Sequence, residues 1–445
     1  MAKRITAKTL LDKHVSKKDR ILLINPGVEE TRYSWLRWNQ PLDLLKIGSH
    51  LRQKKGCVVE LFDCMKPDKD GDVFEEWLPK DRRYRTIKEM RYPMRRYGKP
   101  LSTLRSFLDD RKSKGAKHCP TQIWITSLCS YWFEAVAQTC RVIRESGVDA
   151  SIVLIGNYPR FMPDHACNAC DADLAVTKNF EVDDSVSAFD LYGDAPPPFV
   201  AVGLNPKTAI QEISDAVKRG VNQVAFFTED LCQDGGKPLI EIVGKTKGLH
   251  RHLRFHAICG LKPSGINADV ARCLVDKSFS EFHFEEESTR EGIDLDAYHK
   301  ARSYLEKAGL KLPDDRMSGF VWIGRPKEVL EEVILKSFTV VEACGGVILK
   351  PFSPIPGSPE QQEICEHREL GSIEAWSPHF FPFAELNGIT RSEYHDLYRM
   401  AAFLNEKVRN RAFDFLKGTL GAEMLRDSLA REVWNLEPSP IRITD

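Results

Sequence analysis

Arg20-Ile21-Leu22-Leu23-Ile24-Asn25-Pro26-Gly27 is a short apolar run that stops at turn residues. It lacks polar alternation, so it reads as a strand of a parallel sheet, buried on both faces. Helical spacing follows, from Pro41-Leu42-Asp43-Leu44-Leu45-Lys46-Ile47 to a glycine stop at Lys55-Gly56. The strand signature returns at Cys57–Asp63, Gln122–Leu128, Ser151–Gly156 and Ala172–Val176, and Tyr131–Gly147 is a second amphipathic stretch closed by glycine. This alternation predicts a doubly wound parallel sheet of five strands within residues 1–182. Ligands on such sheets bind at the carboxyl ends of the strands. Asn25, Pro26, Ser127, Leu128, Gly156 and Asn157 are therefore candidate binding residues.

Residues 65–120 interrupt the pattern as an insertion. Lys80–Lys117 holds 14 Lys/Arg against 4 Asp/Glu, with Tyr84, Tyr92 and Tyr97 interleaved. Such a mixture suits RNA or an anionic cofactor, but a solvated excursion over the sheet is the simpler expectation. Residues 183–198 form a linker ending in Ala195-Pro196-Pro197-Pro198. A second alternation then begins, with strands at Phe199–Leu204, Gln223–Phe227, Leu253–Ala257, Phe282–Phe284, Gly319–Gly324 and Gly346–Lys350. Asn205-Pro206 has the form of a helix cap with proline at the first helical position. Six βα units over 199–371 predict a partial or complete α/β (TIM-like) barrel. Residues 372–445 read as a helical C-terminal region that opens on an aromatic stretch, Trp376–Phe383.

Composition narrows the field. The 445 residues are 42% hydrophobic and 29% charged, which excludes a disordered chain. Lys+Arg and Asp+Glu are both 64, without the basic excess of a dedicated nucleic-acid binder. No run approaches the roughly 20 apolar residues that span a bilayer, and no secretory signal follows Met1-Ala2-Lys3-Arg4. A cytoplasmic location is the expectation. Among the 12 cysteines the only close pair is Cys167 and Cys170. Without a second pair or two spaced histidines, two cysteines on a short helix are expected rather than a zinc site.

The chain resembles proteins that join an N-terminal cobalamin-binding domain to a radical S-adenosylmethionine barrel. In the first domain the resemblance rests on Leu22-Leu23-Ile24-Asn25-Pro26, Val59-Glu60-Leu61-Phe62-Asp63-Cys64, Arg95-Arg96-Tyr97-Gly98, Ile125–Trp132, Leu154–Tyr158 and Pro163-Asp164-His165-Ala166. In the barrel it rests on Val224–Asp230, Arg254-Phe255-His256, Cys259-Gly260-Leu261 and Ser353-Pro354-Ile355-Pro356-Gly357-Ser358. It implies that Glu229 and Asp230 meet the methionine amine of S-adenosylmethionine, that Glu285 to Ser288 reach its ribose, and that Gly324-Arg325-Pro326 approaches adenine. Glu287, Ser288 and Gly324 join the candidate set on this ground. Glu285, Glu287 and His283 share a face if the strand continues, and also form a candidate metal group.

Two departures shape the functional expectation. The family carries a CxxxCxxC loop after the first barrel strand, whose thiolates hold a four-iron cluster. Here Leu204 runs into Asn205-Pro206, no cysteine lies between Cys170 and Cys232, and no CxxxCxxC occurs. Iron clusters need thiolate ligands, so no [4Fe-4S] cluster and no conventional radical cleavage are expected. The loop Asn25-Pro26-Gly27-Val28-Glu29-Glu30 carries no histidine, so bound cobalamin would lack a histidine ligand from it. Ile155 stands where the family has a glycine and is expected to crowd a corrin tail. The expectation is a protein that binds cobalamin, S-adenosylmethionine or both, acting as a methyl or one-carbon transferase. The alternative is a pseudoenzyme subunit or cofactor sensor partnering a cluster-bearing relative. Small-molecule cofactors and a protein partner are expected, nucleic acid and membrane are not.

Overall fold

The computed structural model describes residues 3–31, 40–87, 90–289, 292–367, 372–380 and 389–409. They form two compact units, each drawn from three chain segments. The first takes the described residues within Met1–Phe226, Glu241–Arg254 and Ser353–Phe383, the second those within Phe227–Ile240, Phe255–Phe352 and Ala384–Asp445.

In the first unit the strands are β1 (Lys3–Ile5), β2 (Arg20–Asn25), β3 (Val28–Glu30), β4 (Val58–Asp63), β5 (Glu75–Trp77), β6 (Tyr84–Ile87), β7 (Met90–Pro93), β8 (Arg95–Tyr97), β9 (Gln122–Thr126), β10 (Ser151–Ile155), β11 (Leu174–Val176), β12 (Phe199–Val202) and β13 (Gln223–Phe226). Six of them make a wholly parallel sheet in the order β1-β11-β10-β9-β2-β4. Five strands are expected from sequence, and β1 is the sixth. Its Lys3-Arg4-Ile5 has no apolar run; it is placed by parallel pairing to β11, with Ile5 alone packing against a core layer. The apolar runs are continuous because both faces are covered. Leu22, Ile24, Ile123, Ile125, Ile152 and Leu154 enter one core layer. Ile21, Leu23, Trp124, Val153 and Ile155 enter the other. Each such side chain contributes roughly 1.5–3 kcal/mol on burial.

Of the helices, α1 is Ala7–Lys13 and α2 is Leu42–His50, which continues as a π turn to Lys55 and ends at Gly56 with φ +71°. α3 (Leu101–Ser113), α4 (Phe133–Ser146), α5 (Asn157–Phe161) and α6 (Pro163–Cys170) follow. Leu104 and Leu108 of α3 pack in the same layer as Val136, Cys140 and Ile143 of α4. Part of the 65–120 insertion is thus a layer of the fold rather than a solvated excursion, because a two-leucine stripe at i, i+4 buries one face of an otherwise charged helix. The rest forms the antiparallel sheet β3-β8-β5 and the hairpin β6-β7. Its arginines are largely paired: Arg82 and Arg96 with Glu29, Arg85 with Glu134, Arg95 with Glu75, Arg111 with Glu60. Further on, β12 pairs with β13 in parallel, and α7 (Pro206–Lys218) starts where the Asn205 side chain accepts the Lys207 N–H.

The second unit holds β14 (Arg254–Leu261), β15 (Phe279–Phe284), the short β16 (Ser288–Thr289) and β17 (Gly292–Ile293), β18 (Met317–Ile323) and β19 (Val347–Pro351). β14, β15, β18 and β19 pair in parallel in that order. Phe282 and Phe284 are fully buried on one face of β15. Gly319 lets the helix Leu330–Cys344 lie close on β18, since a Cβ there would fall 2.4 Å from Val340. The helix Arg391–Arg409 reaches β19 through Asn405, whose side chain both accepts from Val347 N and donates to Val347 O. Residues 381–388 and 410–445 of the expected C-terminal region lie outside the described residues. No helix among the described residues is long and apolar enough to cross a membrane.

Candidate functional site

The first sheet reverses its direction of growth between β2 and β9, because the chain goes from β2 outward to β4 and then returns to the other side. Such a switch point leaves a crevice at the carboxyl edge. A small cleft, open to solvent, lies there, lined by Asn25, Pro26, Gly27, Val28, Thr126, Ser127, Leu128, Trp132 and Val136. Four of the sequence candidates, Asn25, Pro26, Ser127 and Leu128, are therefore brought together. Leu128 presents an exposed apolar side chain at the rim, while Ser127 is buried and donates to Cys129 O.

A buried acid that the sequence does not single out anchors one wall. Asp63, at the end of β4, accepts from Asn25 Nδ2 (2.8 Å), Tyr192 Oη (2.8 Å) and Met65 N (3.0 Å). Burial raises its pKa, and the three donors act against that rise. The Asn25 amide is thus held by the sheet rather than free to swing toward a ligand. Above it runs β8: a Cβ on Gly27 would lie 2.8 Å from Tyr97 O. Val28, Met65, Val73 and Tyr97 form a small core here, with Trp132 packed against it. The insertion therefore roofs part of the edge.

Gly156 and Asn157 are placed differently from expectation. Ser127 N donates to Ile155 O and Tyr158 N donates to Ser127 O, so the loops after β9 and β10 are tied together. Gly156 has φ +92° and ψ −167°, and a Cβ there would meet Ser127 O at 2.7 Å. The backbone that glycine admits is the protein's own, not a cofactor's. Asn157 begins α5 beyond this contact. Ile155 does not crowd the edge, because its side chain is buried in the core layer on one face of the sheet.

In the second unit the acids go to separate partners. Glu229 is exposed, and Asp230 accepts from Cys232 N at 2.8 Å. Glu285 accepts from Gly260 N and faces Lys350 Nζ at 3.6 Å. Glu286 has a fully buried side chain that accepts from Trp322 N (2.6 Å) and meets Arg325 (3.1 Å) and Lys336 (3.4 Å). Glu287 accepts from Ser264 N at 2.7 Å, closing a turn. β15 stops at Phe284, so the shared face expected for His283, Glu285 and Glu287 is not formed. Ser288 opens β16, and its side chain lies outside the described residues. Gly324 N donates to Glu328, a buried acid whose pKa burial lifts to about 7. Cys167 and Cys170 are buried on α6, as expected for a short helix. Among the described residues, no group of three or more His, Cys, Asp or Glu is arranged to hold a metal ion.

One cluster was not foreseen. His256 Nδ1 lies 2.8 Å from Glu281 Oε1, His283 Nε2 lies 3.7 Å from Glu281 Oε2, and His283 Nδ1 lies 2.6 Å from Ser318 Oγ. His256 and Glu281 are cross-strand partners of β14 and β15, and His283 and Ser318 of β15 and β18. Burial raises the Glu281 pKa, but the two histidines outweigh it and bring the group to about 2.

The fold has a counterpart of known structure. It is similar to TsrM from Kitasatospora setae, a radical S-adenosylmethionine methyltransferase determined with cobalamin and a [4Fe-4S] cluster bound. The TM-score is 0.51 at 13% sequence identity, over 79% of this chain and 78% of that one. At this identity the likeness is one of fold. No protein-family model and no curated protein sequence matches the chain.

Proposed function

We propose that this chain binds cobalamin, S-adenosylmethionine or both, in methyl or one-carbon transfer, and holds no four-iron cluster of its own. The observation that carries the reading is the cleft at the switch point of the first sheet, in a fold similar to that of a cobalamin-bound methyltransferase. The cleft is small and open to solvent, so it would take only one edge of a cofactor as large as a corrin. Leu128 would supply apolar contact at the rim and Ser127 hydrogen bonds. Bound cobalamin supplies one-carbon transfer chemistry, and the loop after β2 offers its cobalt no histidine. Glu229 and Asp230 would take the ammonium of S-adenosylmethionine by charge-assisted hydrogen bonds, with Glu287, Ser288 and Gly324 beside its nucleoside.

The turn after β12 does not fit the thiolate loop of an iron–sulfur cluster. It is Gly203-Leu204-Asn205, it has no thiol, and Asn205 is committed to capping α7. The same turn supports a second reading, a non-catalytic subunit or cofactor sensor beside a cluster-bearing relative. In both readings residues 1–182 act as the cobalamin-binding-like region and the protein works in the cytoplasm.

The absorption spectrum of protein purified after anaerobic expression with cobalamin tests this directly. Corrin bands without iron–sulfur absorption are expected. Calorimetric titration with cobalamin should then show at least ~10-fold weaker binding for Leu128→Glu, a change at an exposed position. No heat with the wild-type protein would remove the cobalamin reading, and stoichiometric four-iron cluster would restore radical chemistry.

A further inference from the structure

Ser318, His283, Glu281 and His256 form one polar row across β18, β15 and β14. Neighbouring residues on β15 show that the row lies on the face opposite the buried Phe282 and Phe284. Phe320 follows two residues after Ser318, so it shares that face, and its ring lies 5.5 Å from that of His283. Lys350 Nζ sits 4.7 Å from the Phe320 ring centroid, which adds a cation to the same side. Ser318 is half-buried, and the side chains of His283 and Glu281 keep 16% and 28% of their exposure, enough for a small reagent to reach them.

The chemistry of the row is directional. A hydroxyl within hydrogen-bond reach of an imidazole, with a carboxylate behind that imidazole, is the arrangement of an activated nucleophile. The carboxylate 3.7 Å from Nε2 favours the tautomer that carries its proton on that nitrogen, in which Nδ1 accepts from Ser318. His256 fixes the far oxygen of Glu281.

We propose that Ser318 is an acyl-accepting nucleophile with His283 as its base and Glu281 as the positioning residue, for small activated esters or thioesters. Ser318 Oγ bonds to the acyl carbon while its proton passes to His283 Nδ1. That proton then leaves with the departing phenolate, alkoxide or thiolate. Water, deprotonated at the same nitrogen, adds to the ester and returns a carboxylic acid and free Ser318. None of this depends on the cofactor reading above.

The test uses the full chain and p-nitrophenyl acetate, with acetylated peptides mapped by mass spectrometry. Acetylation at Ser318 is expected, to be abolished by Ser318→Ala. His283→Ala should slow it at least ~100-fold, and added imidazole should restore it, which a merely structural role would not allow. Glu281→Gln should slow it about 10-fold, with Glu281→Asp retaining most of the rate. A wild-type protein left unacetylated at Ser318 overturns the proposal. So does a His283→Ala or His283→Gln variant that melts cooperatively, yet reacts as fast as wild type or fails to respond to imidazole.

Discussion

Glu328 and Glu281 are two carboxyls in the second unit with opposite consequences for stability. Burial lifts Glu328 from 4.5 to about 7, against the pull of the Gly324 N–H and Lys336. The folded state therefore holds a proton that the unfolded chain releases, so stability falls as pH rises from about 4.5 to about 7. Glu328→Gln should remove that slope, leaving the variant on the order of 1–3 kcal/mol less pH-sensitive by urea unfolding at pH 5 and pH 8. Glu281 is depressed from 4.5 to about 2 by His256 and His283 despite its burial. Its contribution is present above about 4.5 and is lost as pH falls toward 2. Glu281→Gln should flatten the acid limb of the same unfolding curves and leave the Glu328 slope in place. A single pH series on the two variants separates them.

At the scale of elements, the tied loops after β9 and β10 make a sharp prediction. Gly156 occupies backbone space open essentially to glycine alone, so Gly156→Ala should cost about 1–3 kcal/mol, and a bulky residue there should disrupt the edge rather than merely fill a crevice. Asn205→Ala should cost about 1 kcal/mol through the lost cap of α7, read from thermal unfolding. What was legible beforehand follows from how each element is buried. Arg20–Asn25, Gln122–Thr126 and Ser151–Ile155 show as strands because two covered faces force continuous apolar runs. Lys3–Ile5 does not show, because a single apolar side chain, Ile5, makes no strand signature and the strand is placed by pairing to Leu174–Val176. The turn residues Asn25, Pro26, Ser127 and Leu128 could be read as strand ends, and so as cleft residues. That Gly156 is reserved for Ser127, or that Asp63 receives three donors, depends on register and loop path. The same holds for the row from His256 to Ser318, whose members are scattered over three strands and meet only through cross-strand pairing.

At the scale of the molecule, each unit is assembled from separated stretches of chain. Leu78, Met94 and Phe380 close one small core in the first unit, and Tyr92 meets the Phe380 ring edge-on at 5.0 Å. Phe380→Ala should cost about 3–5 kcal/mol in that unit's unfolding transition. A chain cut after Pro198 should bind a hydrophobic dye that the full chain ignores, since Leu78 and Met94 lose their cover. The same arrangement sets a timetable during synthesis. Phe380 leaves the ribosome long after Met94, and at about 5–20 residues per second that is a wait of roughly 15 to 60 seconds. Through that interval the nascent chain carries an unfinished apolar seam, exposed to whatever chaperone meets it first, and the first unit is completed only once Phe380 has emerged.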